Sequence, residues 1–338
     1  MYPLIRPFLF RMDPERVHAL IHRLLRVVGQ LPPLGAFVRT MYRLPERPVQ
    51  AFGLTFTNPV GLAAGYDKDG IAWRGLACLG FGHIEVGTVA PKPQSGNQPP
   101  RLFRLRKDRA LINRLGFPGM GAKYVARQLK YERKNGLVLG VNLGVNKDTP
   151  LIDAVDDYLA LMNIFAPIAD YLVLNVSSPN TVGLRRLQGK DTLHQLLTAM
   201  DNERRRSMLP EGASTPLLVK LAPDLTDGEL DDALEVITDV GLDGVVATNT
   251  TISRDGLTGT HRDETGGLSG APLQTRSTEM IGRIYQQTGG KLPIIGVGGI
   301  MDADGAREKL DAGASLVQVY TGLVYKGPNL VREIVSGL

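Results

Sequence analysis

Asn175, Ser177, Ser178, Asn180 and Thr181 crowd together after the apolar run Tyr171-Leu-Val-Leu. Pro179 stops the run and Asn180 favours a turn. Taken alone, such a stretch reads as a polar turn that caps a helix. Similar groups recur after other apolar runs: Lys68, Thr88, Asn142, Lys220, Thr248-Asn249-Thr250, Gly298-Gly299 and Tyr320-Thr321. Repetition at so many run ends exceeds what turn chemistry requires. The four asparagines Asn113, Asn175, Asn180 and Asn249 offer donors and acceptors that suit a flat heterocycle with alternating C=O and N–H groups. Two lysines, Lys68 and Lys220, imply a strongly anionic occupant, with surface exposure, a structural ion pair or a Schiff-base role for Lys220 as alternatives. Gly296-Val-Gly-Gly-Ile300 before a helix, with Tyr320-Thr321-Gly322 further on, has the form of a phosphate site built from glycine-turn amides and a helix N-terminus. Gly267-Leu-Ser-Gly270 adds another glycine turn. No His, Cys, Asp or Glu cluster with metal-ligand spacing appears among these run ends, and His18 reads as a surface or packed helix residue.

These residues need a scaffold that brings strand ends together. Eight apolar runs supply one: 59–64, 83–88, 137–143, 171–176, 216–221, 244–248, 293–298 and 315–320. Helical patterns lie between several of them. Thr226-Asp-Gly-Glu229 is a capping box, and Ala303–Asp311 forms a short helix before the eighth run. Eight strands alternating with helices predict a closed (β/α)8 TIM barrel, α/β in class, whose active face is the C-terminal edge of the strands. An open doubly wound sheet is the alternative, but no Gly-x-Gly-x-x-Gly follows the first run.

The chain of 338 residues, 43% hydrophobic and 22% charged, fits one such barrel plus an appendage. The charge locates the appendage. Residues 1–50 hold eight arginines, no lysine and three acids, so 8 − 3 = +5, the net charge of the whole chain. The body is therefore neutral, which argues against a nucleic-acid-binding role. Asp13 caps and Pro14 opens a predicted amphipathic helix over 13–29, with Val17, Leu20, Ile21, Leu24, Leu25 and Val28 on one face. After a break at Pro32-Pro33, a second helix spans about 34–43. Two basic amphipathic helices can lie on an anionic membrane; packing on the barrel or service as a transit peptide fits the same pattern. No apolar stretch reaches the ~20 residues of a spanning helix, and Arg6 and Arg11 interrupt any signal-peptide core. The expected division is a helical membrane and access domain over 1–44 and a barrel over 45–338. The lone Cys78 excludes an internal disulfide and reads as a small core residue.

From Asp13-Pro-Glu-Arg to Lys326-Gly-Pro the sequence resembles the class 2, quinone-dependent dihydroorotate dehydrogenases. The matching stretches include Asn58–Lys68, Glu85–Thr88, Pro99–Leu105, Asn113–Phe117, Asn175–Thr181, Val219–Asp224, Ala247–Thr251, Thr265–Gly270 and Ile295–Ile300. The resemblance implies oxidation of (S)-dihydroorotate to orotate in UMP synthesis, with FMN passing electrons to a membrane quinone. It assigns FMN contacts to Ala63, Ala64, Gly65, Lys68, Thr88, Asn142, Asn175, Lys220 and Thr248, and the phosphate to Gly270, Gly299, Tyr320 and Thr321. Lys220 becomes a charge beside the isoalloxazine ring. Lys68 would face the substrate carboxylate, with Asn113, Arg114, Leu115, Gly116, Phe117, Asn175, Asn180, Asn249 and Thr250 around the pyrimidine. Ser178 would be the base that removes the C5 proton while C6 gives hydride to flavin N5. A serine needs a proton acceptor for this task, and Thr181 and Phe117 would flank a water relay. His18, Arg104 and Tyr320 would sit near the quinone head. The implied location is the cytoplasmic face of a bacterial inner membrane. A soluble class 1-like enzyme using fumarate or NAD is the alternative, although that class uses a cysteine base and lacks the N-terminal helices. Val145 and Pro118 depart from the usual family residues and put local loop geometry in question.

Overall fold

A computed structural model describes residues 2–130, 136–206 and 214–338. Eight parallel strands close into a barrel. In chain order they are β3 (Val60–Leu62), β4 (His83–Val89), β7 (Val138–Leu143), β8 (Tyr171–Asn175), β9 (Leu217–Leu221), β10 (Gly244–Ala247), β12 (Ile294–Val297) and β13 (Leu316–Val319), which pairs back onto β3. Each coincides with one of the eight apolar runs. Nearly all of their residues are buried, because the inner face meets the barrel core and the outer face meets helices, so these strands read as continuous runs rather than alternations.

The helices form the outer ring: α4 (Trp73–Ala77), α5 (Ala122–Leu129), α6 (Ala154–Phe165), α7 (Lys190–Arg206), α8 (Asp227–Val240), α9 (Gln274–Gln287), α10 (Ala303–Asp311), α11 (Thr321–Lys326) and α12 (Asn329–Gly337). Their boundaries follow local chemistry. Thr226 and Glu229 make the reciprocal capping box of α8, and Asp302 caps α10 by accepting from Gly305 N at 3.0 Å. A short hairpin of β1 (Val49–Ala51) and β2 (Leu54–Phe56) plugs the barrel floor, where Phe56 meets His83 edge-on with ring centroids 5.4 Å apart.

Two features lie outside the sequence expectation. The mouth carries a roof, an antiparallel sheet in which β6 (Ala110–Asn113) lies between β5 (Leu102–Leu105) and β11 (Gly267–Gly270). The stretch 267–270 is therefore a strand that ends in a glycine turn, not a turn alone. And a helix α1 (Tyr2–Leu9) precedes the two expected ones, α2 (Pro14–Gln30) and α3 (Pro32–Met41). Pro32 and Pro33 open α3 rather than separate it from α2. Asp13 caps α2 by accepting from Arg16 N at 2.9 Å. The apolar face of α2 lines an open cavity against α4 and the roof, and Arg101 of the barrel body clasps Glu15 at 2.7 Å.

Candidate active site

A cleft of about 970 Å³ opens at the C-terminal mouth of the barrel, beneath the roof. Its floor is fixed by one hydrogen-bonded chain. Glu85, fully buried on β4, accepts from Gln318 Nε2 at 2.8 Å and from Asn142 Nδ2 at 2.7 Å. A carboxylate can only accept while ionised, so both amides must turn their NH2 groups toward it. Asn142 Oδ1 then accepts from Thr88 Oγ1 at 2.5 Å and from Asn175 Nδ2 at 3.2 Å. Asn175 Oδ1 in turn accepts from Asn249 Nδ2 at 3.1 Å. Five strand ends are thereby held in one register around a single carboxylate.

The two lysines expected in the site are both there. Lys220 projects from β9 into the cleft and is buried; burial lowers its pKa, against the opposing pull of Glu85, and no hydrogen bond to it is formed among the described residues. Lys68 donates to the Gly65 carbonyl at 2.5 Å, and burial pushes its pKa down to about 8 despite Asp69 nearby. Uncompensated cations in a half-closed cleft call for an anionic occupant.

At one end of the cleft the backbone makes an anion cradle. Gly298 and Gly299 have φ values of 127° and 80°, and a Cβ on Gly299 would lie 2.4 Å from Gln274 Cα, so only glycine brings this turn against the start of α9. Gly270 presses on the Arg109 carbonyl in the same way, and Thr321 shares a 2.8 Å hydroxyl contact with Ser269. At the other end stand Asn113, Leu115, Gly116, Phe117, Ser178, Asn180 and Thr250. Asn180 Nδ2 donates to Asn113 Oδ1 at 3.1 Å. Ser178 Oγ accepts from Asn180 N at 3.3 Å, which leaves its own hydrogen free for the cleft. Ser177 Oγ is instead tied up by Asn249 Nδ2 at 2.9 Å.

Ala63, Ala64, Gly65, Thr88, Thr248 and Tyr320 complete the wall. Three expected residues do not reach it. Asn142 lies under the floor and acts through Thr88 and Asn175. The Arg114 side chain turns away to Glu264 at 2.6 Å and stacks on Phe103, while its backbone bonds Arg101 and Asn97. Thr181 is partly exposed, its carbonyl accepting from Leu184 N at 3.2 Å, outside the wall. Glu85 and Gln318 are not among the site residues that the sequence singles out. The signal was present: a carboxylate inside a strand buried on both faces must be paired. Val145 is buried against the barrel, and the loop after it is tied by Gln94 Oε1, which accepts from Asn146 Nδ2 at 3.0 Å and Lys147 N at 2.8 Å. Pro118 follows Phe117, whose φ is 50°. Both departures are thus accommodated locally.

A second, mostly apolar cavity of about 1190 Å³ lies under α1 and α2. Tyr320 lines both cavities and is the partition between them. His18 stacks near His22 and Tyr66, with ring centroids 4.0 and 5.2 Å away. Burial, then the neighbouring His22 and Lys68, hold the His18 pKa well below its ordinary value, so it is neutral near pH 7. Arg104 reaches the Met12 carbonyl at 2.8 Å and packs over Phe10. Among the described residues no group of three or more His, Cys, Asp or Glu is placed to hold a metal ion.

A family model described as dihydroorotate dehydrogenase matches residues 48–338. A curated relative from Anaeromyxobacter sp. (strain Fw109-5), dihydroorotate dehydrogenase (quinone), is 50% identical over 341 residues, spanning 100% of this chain and 92% of the relative. One of the same name from Aeromonas hydrophila subsp. hydrophila is 50% identical over 338 residues, spanning 99% of each. The crystal structure of DHODH from Eimeria tenella in complex with ferulenol superposes with a TM-score of 0.86 at 42% identity, covering 96% of this chain and 90% of that one.

Proposed function

The chain belongs to the quinone-dependent dihydroorotate dehydrogenases, and from that premise we propose how its two cavities divide the work. It oxidises dihydroorotate with a quinone as acceptor; relatives that carry the quinone name leave the soluble fumarate- or NAD-using alternative without support. The observation that carries the division is a cationic, polar cleft and an apolar cavity meeting back to back at Tyr320.

The residues of the cleft fit FMN. Lys220 is a buried cation without an acceptor, and the glycine turns leave bare amides where a phosphate needs donors. Gly270, Gly299, Tyr320 and Thr321 would hold the phosphate; Ala63, Ala64, Gly65, Thr88, Asn175, Lys220 and Thr248 would hold the ring system, with Asn142 supporting from below. When bound, FMN supplies the two-electron acceptor that links substrate to quinone.

The chain's own residues do the rest. Lys68 sets its charge against the substrate carboxylate. Asn113, Asn175, Asn180, Asn249 and Thr250, with the backbone of 115–117, read the pyrimidine edge. Ser178 takes the C5 proton, and the space beside Phe117 is where a water would relay it, with Thr181 behind that wall. Phe117 and Leu115 exclude bulk water, without which a serine is too weak a base. His18, Arg104 and Tyr320 receive the quinone head. Residues 1–44 form the access domain: Leu4, Ile5, Phe8, Leu24, Leu31 and Phe37 are all at least half exposed, amid arginines. No described helix is long and apolar enough to cross a membrane. This supports peripheral attachment to the anionic cytoplasmic face of a bacterial inner membrane. The product then serves pyrimidine synthesis.

The test is an anaerobic visible spectrum of the purified protein. Flavin bands should bleach with dihydroorotate and return with a soluble quinone. A protein that neither carries nor takes up FMN would overturn the cofactor assignment. Ser178→Ala should retain FMN but slow bleaching by about 10²–10⁴-fold, the usual worth of a positioned base; an unchanged rate would remove Ser178 from that role.

A further inference from the structure

Lys309, on α10, has no solvent exposure. All partners of its ammonium are neutral: Ser277 Oγ at 2.9 Å, Thr278 Oγ1 at 3.1 Å and the Gln274 carbonyl at 3.5 Å. A buried charge without a counter-ion is costly, and proteins keep one only when something repays it.

The packed elements offer no counter-ion among the described residues. On α9, Arg276 binds the Pro223 and Leu225 carbonyls, and Arg283 pairs with Asp227 and Asp231. On α12, Glu333 pairs with Lys326. On α10 itself, Asp304 pairs with Arg307. Glu308, held by Gln274 Nε2 at 2.7 Å, pulls the Lys309 pKa up, and Glu279, Asp311 and Arg332 make no ion pair with Lys309 among the described residues. Burial outweighs Glu308 and brings the pKa down to about 7. Strands β12 and β13 carry no charged residue.

The position of the ammonium is the telling part. Its three partners form the first turn of α9, directly behind the glycine cradle. A Cβ on Gly298 would meet Ser277 Oγ at 3.0 Å, and one on Gly299 would meet Gln274 N at 2.5 Å. Ser277 Oγ, while accepting from Lys309, donates to the Val297 carbonyl at 2.6 Å. One hydroxyl therefore separates the buried cation from the turn at the phosphate end of the cleft.

We propose that Lys309 is a positioning residue for the phosphate of FMN: it holds the first turn of α9 against Gly298-Gly299 and supplies, from behind, the charge that the phosphate dianion neutralises. This inference rests on the FMN reading above. It makes no direct contact with the phosphate and takes no part in electron transfer.

The test compares FMN with riboflavin, which lacks the phosphate. The full-length chain, stripped of flavin, is titrated with each, as wild type, Lys309→Met and Lys309→Arg. Lys309→Met should weaken FMN about tenfold, as expected for loss of one nearby charge at an effective dielectric near 20, and change riboflavin less than about twofold. Bound phosphate raises the lysine pKa above 7, so within the range where the phosphate is a dianion, above about pH 6.5, the preference for FMN should be full up to about pH 7 and decline as pH rises through the bound-state value. That decline should vanish in Lys309→Met and be suppressed in Lys309→Arg. Equal losses for both flavins, no loss for either, or a flat wild-type profile would each overturn the proposal and leave a packing role. Should Lys309→Met not fold, the wild-type and Lys309→Arg profiles decide alone. A wild-type chain that binds riboflavin but gains nothing from the phosphate sinks only this inference; one that binds neither flavin sinks the cofactor reading with it.

Discussion

Lys68 is the residue whose charge the assay pH decides. Its ammonium, lowered to about 8 by burial, is present below that pH and lost above it. A substrate carboxylate seated beside it, as proposed, would pull the value back up, so that binding and protonation would reinforce each other. The KM for dihydroorotate should be flat from about pH 6.5 to 7.5 and climb toward about tenfold per unit beyond 8, with kcat changing less. Lys68→Met should raise KM and remove the slope; a slope that survives this variant belongs to another group. Glu85 carries a different burden. Its replacement by Ala leaves Asn142 and Gln318 without their acceptor in a closed space, at a cost of about 2–4 kcal/mol, measurable by denaturant unfolding. Ser178 and the asparagines were readable from the sequence because they follow apolar runs, where polar groups must face either solvent or a ligand. Glu85 and Lys309 were not, because their meaning depends on what long-range packing places beside them. Arg114 shows the converse, since its neighbours in sequence face the cleft while its own side chain is drawn off by Glu264.

At the scale of elements, all eight barrel strands were legible, since burial on both faces leaves an unbroken apolar signature. The roof was not. Its strands are four residues long, and β11 pairs with β6 from a distant part of the chain, so no local pattern announces them. Helix α1 was hidden by Pro7, which lies inside it and removes one intrahelical donor, so the stretch reads as broken in sequence. The N-terminal helices present apolar side chains outward, with Phe8 67% and Phe37 62% exposed. Phe8→Glu with Phe37→Glu should lower co-flotation with anionic vesicles at least several-fold while leaving reduction of a water-soluble quinone nearly intact. Undiminished flotation would mean that this face does not meet the lipid.

For the whole molecule, acid is the expected weakness. His22 and His83 are buried with their pKa lowered to about 4 and about 3, and neither ring nitrogen of His83 has a partner among the described residues. Their folded values lie below the unfolded value of about 6.5. The stability tied to their neutral forms is therefore complete above pH 6.5 and drains as pH falls toward 4 and then 3. His18, also held well below its ordinary value, adds to the loss, while Asp67, raised to about 6 by burial, works the other way between about pH 6 and 4. Net loss should be on the order of 3 kcal/mol by pH 4, and His22→Phe should blunt it. An unfolding midpoint that does not move between pH 7 and 4 would show that these rings are hydrated in solution.

The barrel closes along a seam where Val317, Gln318 and Val319 pair with Val60, Gly61 and Leu62. That seam also carries Gln318, Tyr320 and Thr321, so floor, partition and cradle all wait on one late strand. During synthesis the early strands must leave the ribosome with an open edge and stay unsatisfied until the final strand is translated. Neither cavity can exist in a nascent chain, and cofactor loading is in this sense a signal that translation is finished. Chains released before β13 should be colourless and prone to capture by chaperones or to aggregation, however much of the site they already contain.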